Sequence, residues 1–201
     1  MRTPLRQELE TAFRAYIEEL KKAPVLGSLG TLHVVCALPD VCAALQTTDG
    51  RTDRGPYQDW IDRHVVRGDS LLRKQDWYKM RCSVLHQGSG LPEGSEWDLI
   101  SFTFAGSAPA TMHRREIVKA DGPQPVRNIT LHIPALAEEI LTGLHNWFDW
   151  LETPDAGPVR ERVRSRLYTV LSPKPKRWPG INVTGEVLGS SGVVAAIVPE
   201  E

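Results

Sequence analysis

The chain has 201 residues and nearly balanced charge, with 24 Lys and Arg against 25 Asp and Glu. That length suits one sizeable domain, or a domain with an extension, and the balance excludes a general attraction to polyanions. Cys36, Cys42 and Cys82 are too few for a disulfide framework and fit a reducing compartment.

The first part of the chain predicts helices. Apolar residues recur every three or four positions from Leu5 to Leu20 and predict a first amphipathic helix that ends near APVLGSLG. In the apolar stretch TLHVVCALPDVCAAL, Pro39 would interrupt a continuous helix, which predicts two short buried helices. The same stretch holds a histidine and two cysteines without the spacing of a metal site, so no metal and no cofactor is predicted.

Two further helices are predicted after a polar loop at 47–55. The first carries the apolar residues Tyr57, Trp60, Ile61 and Val65. The second has Asp69 or Ser70 as its predicted N-cap and apolar positions from Leu71 to Leu85. Gly88 is suited to the position just past its C-terminus.

The middle of the chain changes to alternating apolar and polar residues, which is typical of strands. Three short strands are predicted in EWDLISFTFAG, TMHRREIV and NITLHI, as a small antiparallel meander at about 96–133. Pro134 then opens a strong helix, and PVRERVRSRLYTVL predicts another. The predicted class is mainly α (α+β), with a helical domain at 1–155 and a basic helix with an extended tail at 156–201.

In two stretches an arginine and a histidine stand five positions apart. Arg127 and His132 lie in a predicted strand, where residues five apart point to opposite faces, so this pair is interpreted as a decoy. Arg81 and His86 lie in a predicted helix, where five residues turn through about 140° beyond a full turn. Glycines follow Gln87 and place His86 in the last turn, where the backbone unwinds and the helix dipole favours an imidazolium. The plain alternative is that Arg81 packs on an aromatic ring while His86 caps the last carbonyls.

The pattern YxxRCxxxHxG at the end of this helix resembles the signature helix of the HEPN superfamily, whose hallmark is Arg, four to six residues, then His. LPDVCAALQTTDG, YQDWIDRHV and DWYKMRCSVLHQGSG also resemble a group of bacterial proteins of unknown function, over about residues 36–150. The resemblance implies a HEPN-like helical bundle, here with an inserted sheet and a C-terminal extension. The family often has Asn after the arginine, where this chain has Cys82.

The resemblance also implies a chemistry and partners. HEPN ribonucleases cleave RNA without a metal and dimerise, so that two signature helices face each other across a composite site. The implied catalytic residues are Arg81, which stabilises charge on the phosphate, and His86, which transfers a proton. Tyr78 and Ser83 are the nearest hydroxyls and are predicted as auxiliary groups. RNA, a second copy of the chain and a neutralising partner protein are the expected partners, in a bacterial defence, toxin or stress role.

A basic segment follows the last break in the helical pattern. Between Val159 and Trp178 lie seven basic residues and one acid, Glu161. The predicted nucleic-acid-binding residues are Arg160, Arg162, Arg164, Arg166, Lys174, Lys176 and Arg177. The alternative is a solvated helix face whose apolar side docks on the bundle.

Two other functions remain open from the sequence. Cys82 favours a HEPN-like module that binds RNA or a nucleotide without cleaving it. The aromatic residues Trp147, Phe148 and Trp150 favour a structural or oligomerisation role, with burial in the core or against a second subunit. MRTPLRQELE lacks the apolar segment of a signal peptide and no apolar run approaches a bilayer span, so we expect a cytoplasmic protein that does not contact the membrane.

Overall fold

The computed structural model describes residues 5–66, 71–87, 97–106, 113–119 and 126–171. Within them the helices are α1 (Leu5–Ala12), α2 (Arg14–Leu26), α3 (Leu29–Gln46), α4 (Arg54–His64), α5 (Lys74–Cys82), α6 (Ile133–Glu152) and α7 (Gly157–Leu171). The strands are β1 (Leu99–Thr103), β2 (Arg115–Lys119) and β3 (Val126–His132). A π-helical turn, Ser83–Gln87, continues α5, and a 3₁₀ turn, Pro154–Ala156, joins α6 to α7. The described chain is mostly helical with one small sheet, which confirms the mainly α (α+β) class.

One apolar core holds the helices together, with α6 packed against α1, α2, α3, α4 and α7. Trp147 and Phe148 on α6 are fully buried, and their rings meet the Phe13 ring edge-on at centroid distances of 5.8 and 5.7 Å. Trp150 is half-buried, with its ring 5.7 Å from that of His64. The aromatic residues of α6 therefore pack within their own chain.

The predicted first helix is present as α1 and α2. The two segments are separated only at Phe13, whose N–H donates to the Leu9 carbonyl over 2.8 Å and whose carbonyl accepts from Ile17 over 3.0 Å. Helical bonding thus continues through the interruption. α2 then runs through Pro24 as far as Leu26, into the segment where the sequence predicted an end.

The prediction of two short helices around Pro39 is wrong, because α3 is a single helix of 18 residues. Its start is fixed by Ser28, whose side chain accepts from the Thr31 N–H. A proline inside a helix costs about 3 kcal/mol, but burying one large apolar side chain contributes roughly 1.5–3 kcal/mol. α3 buries nine side chains, Pro39 among them, and packs against α2, α4, α5, α6 and α7. That burial offsets the broken hydrogen bond.

α3 also corrects the expectation that no apolar run approaches a bilayer span. By length and composition alone it is long and apolar enough to cross a membrane, but 56% of that window is buried inside the protein. This is the pattern of a core helix.

α5 begins later than the sequence predicted. Its first residue is Lys74, and the Arg73 N–H donates to Oδ2 of Asp76 over 3.1 Å at the start of the helix. Leu71 precedes the helix and is 46% exposed. The proposed caps Asp69 and Ser70, and the terminating glycine at 88, lie outside the described residues.

The three predicted strands are present, but the antiparallel meander is wrong. The strand order is β1-β3-β2, with β1 parallel and β2 antiparallel to β3. β3 is central because it is the most deeply buried strand: five successive residues from Asn128 to His132 are buried. Ile129 is aligned with Ile100 on β1 and Glu116 on β2. A central strand needs hydrogen-bonding neighbours on both sides, and sequence order does not decide which strand holds that place.

α7 belongs to the same core as the preceding helices. Val163 and Leu167 are fully buried within that apolar cluster, and α7 contacts α1, α3 and α6. The core is thus continuous across the predicted boundary at 155/156. The predicted extended tail lies outside the described residues.

Close packing between α6 and α4 makes Gly143 sensitive to substitution. A Cβ at this position would lie 2.6 Å from Cγ2 of Val65 and 3.3 Å from the His64 carbonyl oxygen. Overpacking of this kind costs about 1–3 kcal/mol, more than the roughly 1 kcal/mol that alanine gains over glycine in a helix. We expect Gly143→Ala to lower the free energy of unfolding by up to about 2 kcal/mol in urea titrations.

Gly157→Ala is the matched control, because a Cβ there meets nothing within 4 Å. Its free energy of unfolding should stay unchanged or rise by up to about 1 kcal/mol, because Gly157 begins α7 and alanine is favoured over glycine in a helix. Equal effects from the two substitutions would contradict the close approach of α6 and α4.

Candidate functional site

Arg81 lies in the last turn of α5 and forms an ion pair with Asp40 on α3. Its Nε donates to Oδ2 of Asp40 over 2.6 Å. The Arg81 side chain is 19% exposed and that of Asp40 is 14% exposed. The pair is therefore largely shielded from water, and a small part of the Arg81 side chain remains exposed.

The surroundings of Arg81 keep it charged. Burial lowers its pKa, but the hydrogen bond and the negative charge of Asp40 outweigh burial, so that the pKa is raised overall. The guanidinium carbon lies 5.9 Å from the centre of the Tyr78 ring, and Nη1 lies 3.8 Å from the Cys82 Sγ. The predicted packing of Arg81 on a neighbouring aromatic residue is thus confirmed.

The backbone after Arg81 widens into the π-helical turn that contains His86. Hydrogen bonds in a π-helix join residues five apart, so one turn holds more residues than in an α-helix. Five residues of a π-helix therefore turn through a smaller angle beyond a full turn than the about 140° of an α-helix. Positions 81 and 86 thus come nearer to the same face of the helix. At His86 the backbone is a π-helical turn that continues to Gln87, and both the predicted helix end and the His86 side chain lie outside the described part of the structure.

The two predicted auxiliary hydroxyls differ in position. Tyr78 is half-buried beside Arg81, and its pKa is raised by burial and by its contact with the Cys82 thiol. Ser83 is only 4% exposed and donates its N–H to the carbonyls of Lys79 and Met80. Tyr78 is therefore the better placed of the two to meet a ligand at Arg81.

The second Arg–His pair does not form a site. On β3, Nε of Arg127 donates to Oε1 of Glu116 over 2.9 Å, and the guanidinium lies 4.7 Å from the Trp97 ring. His132 is 7% exposed, with Nδ1 3.1 Å from Oγ1 of Thr103. The two side chains have separate partners, as the strand pattern predicted.

The arginines of α7 contact backbone carbonyls near helix ends. Nε and Nη2 of Arg160 donate to the carbonyls of Leu151 and Thr153 over 2.6 and 2.5 Å. Nε of Arg162 donates to the Gln46 carbonyl over 2.8 Å. Cations are favoured at helix C-termini, where carbonyl groups lack helical partners. These two arginines thus cap α6 and α3.

The other two arginines of the predicted strip are also engaged. Arg166 donates to the carbonyls of Thr47 and Thr48, which follow α3. Nε of Arg164 lies 3.5 Å from a carboxylate oxygen of Glu8 on α1. Packing explains these contacts without a nucleic acid, so α7 is not a simple solvated basic face. Lys174, Lys176 and Arg177 lie outside the described residues.

Two polar features were missed by the sequence analysis. Asp40 is 41 residues from Arg81, too far for a search of local spacing. The available signal was its place as the one carboxylate in the apolar α3 sequence LGTLHVVCALPDVCAALQ. A charged residue inside such a helix requires a partner.

The second missed feature ties β2 to α6. Nδ1 of His113 accepts from the His132 N–H over 3.1 Å, which puts its proton on Nε2, 3.0 Å from Oε1 of Glu139. Arg114, whose φ is 58°, donates from Nη2 to Oε2 of Glu139 over 2.8 Å. Its Nε lies 3.3 Å from Nε2 of His113. With the histidine proton on Nε2, two donors face each other at that contact. Burial raises the pKa of Glu139, but the contacts with His113 and Arg114 lower this pKa by more than burial raises it. The pKa is below its usual value. Both ring nitrogens of His113 are engaged, so this cluster is a structural connection.

A shallow cavity of about 220 Å³ lies apart from Arg81, between the end of α3, α4 and the start of α7. Asp59, Trp60, Arg63 and His64 contribute to its wall. Burial and the charge of Arg63 lower the pKa of His64 to about 4, so the imidazole is neutral at pH 7. None of the predicted catalytic residues lines this cavity.

No family model, curated protein or solved structure matches this chain. The candidate site is therefore defined by its own geometry. A cationic guanidinium lies beside Asp40 and Tyr78, and a π-helical turn begins two residues later, at Ser83.

Proposed function

We propose that this chain is a HEPN-like, metal-independent endoribonuclease of the bacterial cytoplasm that acts in defence, as a toxin, or in a stress response. The observation that carries the proposal is the π-helical turn that begins at Ser83, two residues after Arg81, and contains His86. A π-helix holds more residues per turn than an α-helix, which favours a smaller angle between the arginine and the histidine of the motif. π-helical turns are rare and are found frequently at functional sites. The mostly helical fold is compatible with a HEPN-like bundle in which the mixed sheet is an insertion.

The proposed chemistry needs two groups. The 2′-hydroxyl of RNA attacks the adjacent phosphorus and the 5′-oxygen leaves, so the products carry a 2′,3′-cyclic phosphate and a 5′-hydroxyl. Arg81 stabilises the negative charge that grows on the non-bridging oxygens. His86 takes the proton of the attacking 2′-hydroxyl or gives one to the leaving 5′-oxygen. A homodimer, with two signature helices facing each other, would supply both groups from each copy.

A second candidate is a HEPN-like module that binds RNA or a nucleotide without cleaving it. The observation in its favour is the Arg81–Asp40 pair, because the guanidinium already has a carboxylate at 2.6 Å. Cys82 also stands where the family often has an amide side chain. In this form Arg81 would contact phosphate without contributing to a reaction.

The two candidates are separated by incubating the purified chain with single-stranded RNA in EDTA. The nuclease cleaves in the chelator and leaves 2′,3′-cyclic phosphate ends, whereas His86→Ala leaves the RNA intact. Intact RNA that binds the wild-type chain, with affinity falling steeply as salt rises, favours the binding module. The absence of both cleavage and binding refutes both candidates.

A further inference from the structure

Asp40 is an unusual residue for its place in the fold. α3 is otherwise apolar or uncharged from Leu29 to Gln46, and it packs against five other α-helices, α5 among them. Shielding a carboxylate from water is costly, and a buried ion pair is often no more stabilising than apolar residues of the same volume. Stability alone therefore gives little reason for an aspartate here.

The contact with Asp40 sets the orientation of the Arg81 guanidinium. The guanidinium is planar and rigid, and its Nε is held by Oδ2 of Asp40 at 2.6 Å. On the other side of the group, Nη1 lies 3.8 Å from Sγ of Cys82, so contacts with Asp40 and Cys82 together set the plane of the guanidinium.

We infer that Asp40 is the positioning residue of the candidate site: it holds Arg81 in the orientation needed to stabilise a phosphodiester during cleavage. This inference rests on the proposed function. Asp40 does not touch the RNA and acts only through Arg81. A misplacement of about 1 Å in a catalytic group can cost about 10²-fold in rate, so the anchor matters even though it transfers no proton.

Asp40→Asn gives the sharpest test, because the loss of negative charge affects RNA binding, whereas the loss of the anchor of Arg81 affects the cleavage rate. Asparagine removes a negative charge beside Arg81, so RNA binding is unchanged or tighter and KM does not rise. The guanidinium also loses its charged anchor, so we expect kcat to fall about 10²-fold. Asp40→Glu keeps the carboxylate and should retain more of kcat than Asp40→Asn does.

Glu139→Gln is the matched control. It weakens a comparably shielded ion pair, that of Glu139 with Arg114, whose side chains are 28% and 21% exposed. If ion pairs in this fold serve stability alone, both variants lose stability in urea and both keep the wild-type kcat. A kcat for Asp40→Asn within about twofold of wild type overturns the inference while the proposed function stands.

The Arg81 Nε–H signal in NMR gives a second readout that does not require cleavage. Arg81→Lys identifies the signal by its loss. We expect slow exchange with water in the wild type and fast exchange in Asp40→Asn. If the wild type does not cleave RNA, the proposed function fails, and fast exchange of this signal in the wild type separately overturns the anchoring of Arg81 by Asp40.

Discussion

Arg81→Ala is expected to lower the rate of RNA cleavage by about 10³-fold, the upper end of what the loss of one preorganised donor to a developing oxyanion costs. The guanidinium lies 5.9 Å from the Tyr78 ring, and the π-helical turn begins two residues after Arg81. The measurement is the initial rate of cleavage in EDTA with saturating RNA. Circular dichroism and urea unfolding report whether the variant is folded.

Two variants make the Arg81 result specific. Arg81→Lys keeps the positive charge but loses the planar fork, and it should recover only a small part of the rate. Arg127→Ala removes the decoy arginine, which is also paired with a glutamate, at 2.9 Å. A wild-type rate for Arg127→Ala is expected. Equal losses from Arg127→Ala and Arg81→Ala would contradict a specific role for Arg81.

Trp147→Ala is expected to have the largest effect on stability. The indole is fully buried on α6 and packs against Phe13 and Phe148, with ring centroids 5.8 and 5.7 Å away. Truncating a buried tryptophan to alanine leaves a cavity and costs about 3–5 kcal/mol. The free energy of unfolding from urea titrations measures the loss directly.

The control for Trp147 is Val118→Ala, at a valine on β2 that is 54% exposed. Its free energy of unfolding should change by no more than about 0.5 kcal/mol. The titrations are repeated over a range of protein concentrations. A loss at Trp147 that depends on concentration would place the indole at a subunit interface and contradict its packing inside one chain.

Local patterns in the sequence predicted the helices well where one face is apolar. The repeat from Leu5 to Leu20 and the cluster at Tyr57, Trp60 and Ile61 gave helices at the expected places, because apolar periodicity reports which face is buried. Pro39 misled the prediction, since the local penalty of a proline does not reveal how much burial the rest of the helix gains. The predicted strand order was wrong for a similar reason. β1 pairs with β3 although β2 lies between them in the sequence, and no local pattern encodes that pairing.

The site shows the same division between local and distant information. The Arg81 motif is a local feature, and the sequence contained it. Asp40 is 41 residues from its partner, and the Gln46 carbonyl that accepts from Arg162 is 116 residues away. A basic stripe on a helix looks the same in sequence whether its partners are phosphates or distant carbonyls of the same chain, so only the folded structure reveals that α7 caps two other helices.

The most direct test of the central claim, that Arg81 and His86 act on one phosphodiester, is a double-mutant cycle of cleavage rates in EDTA. Residues that act as a unit are strongly non-additive, because removing the first already abolishes what the second contributes. We therefore expect the Arg81→Ala/His86→Ala double variant to cleave within about threefold of the slower single variant. A double variant whose loss equals the product of the two single losses, or a His86→Ala variant as active as the wild type, would contradict the claim.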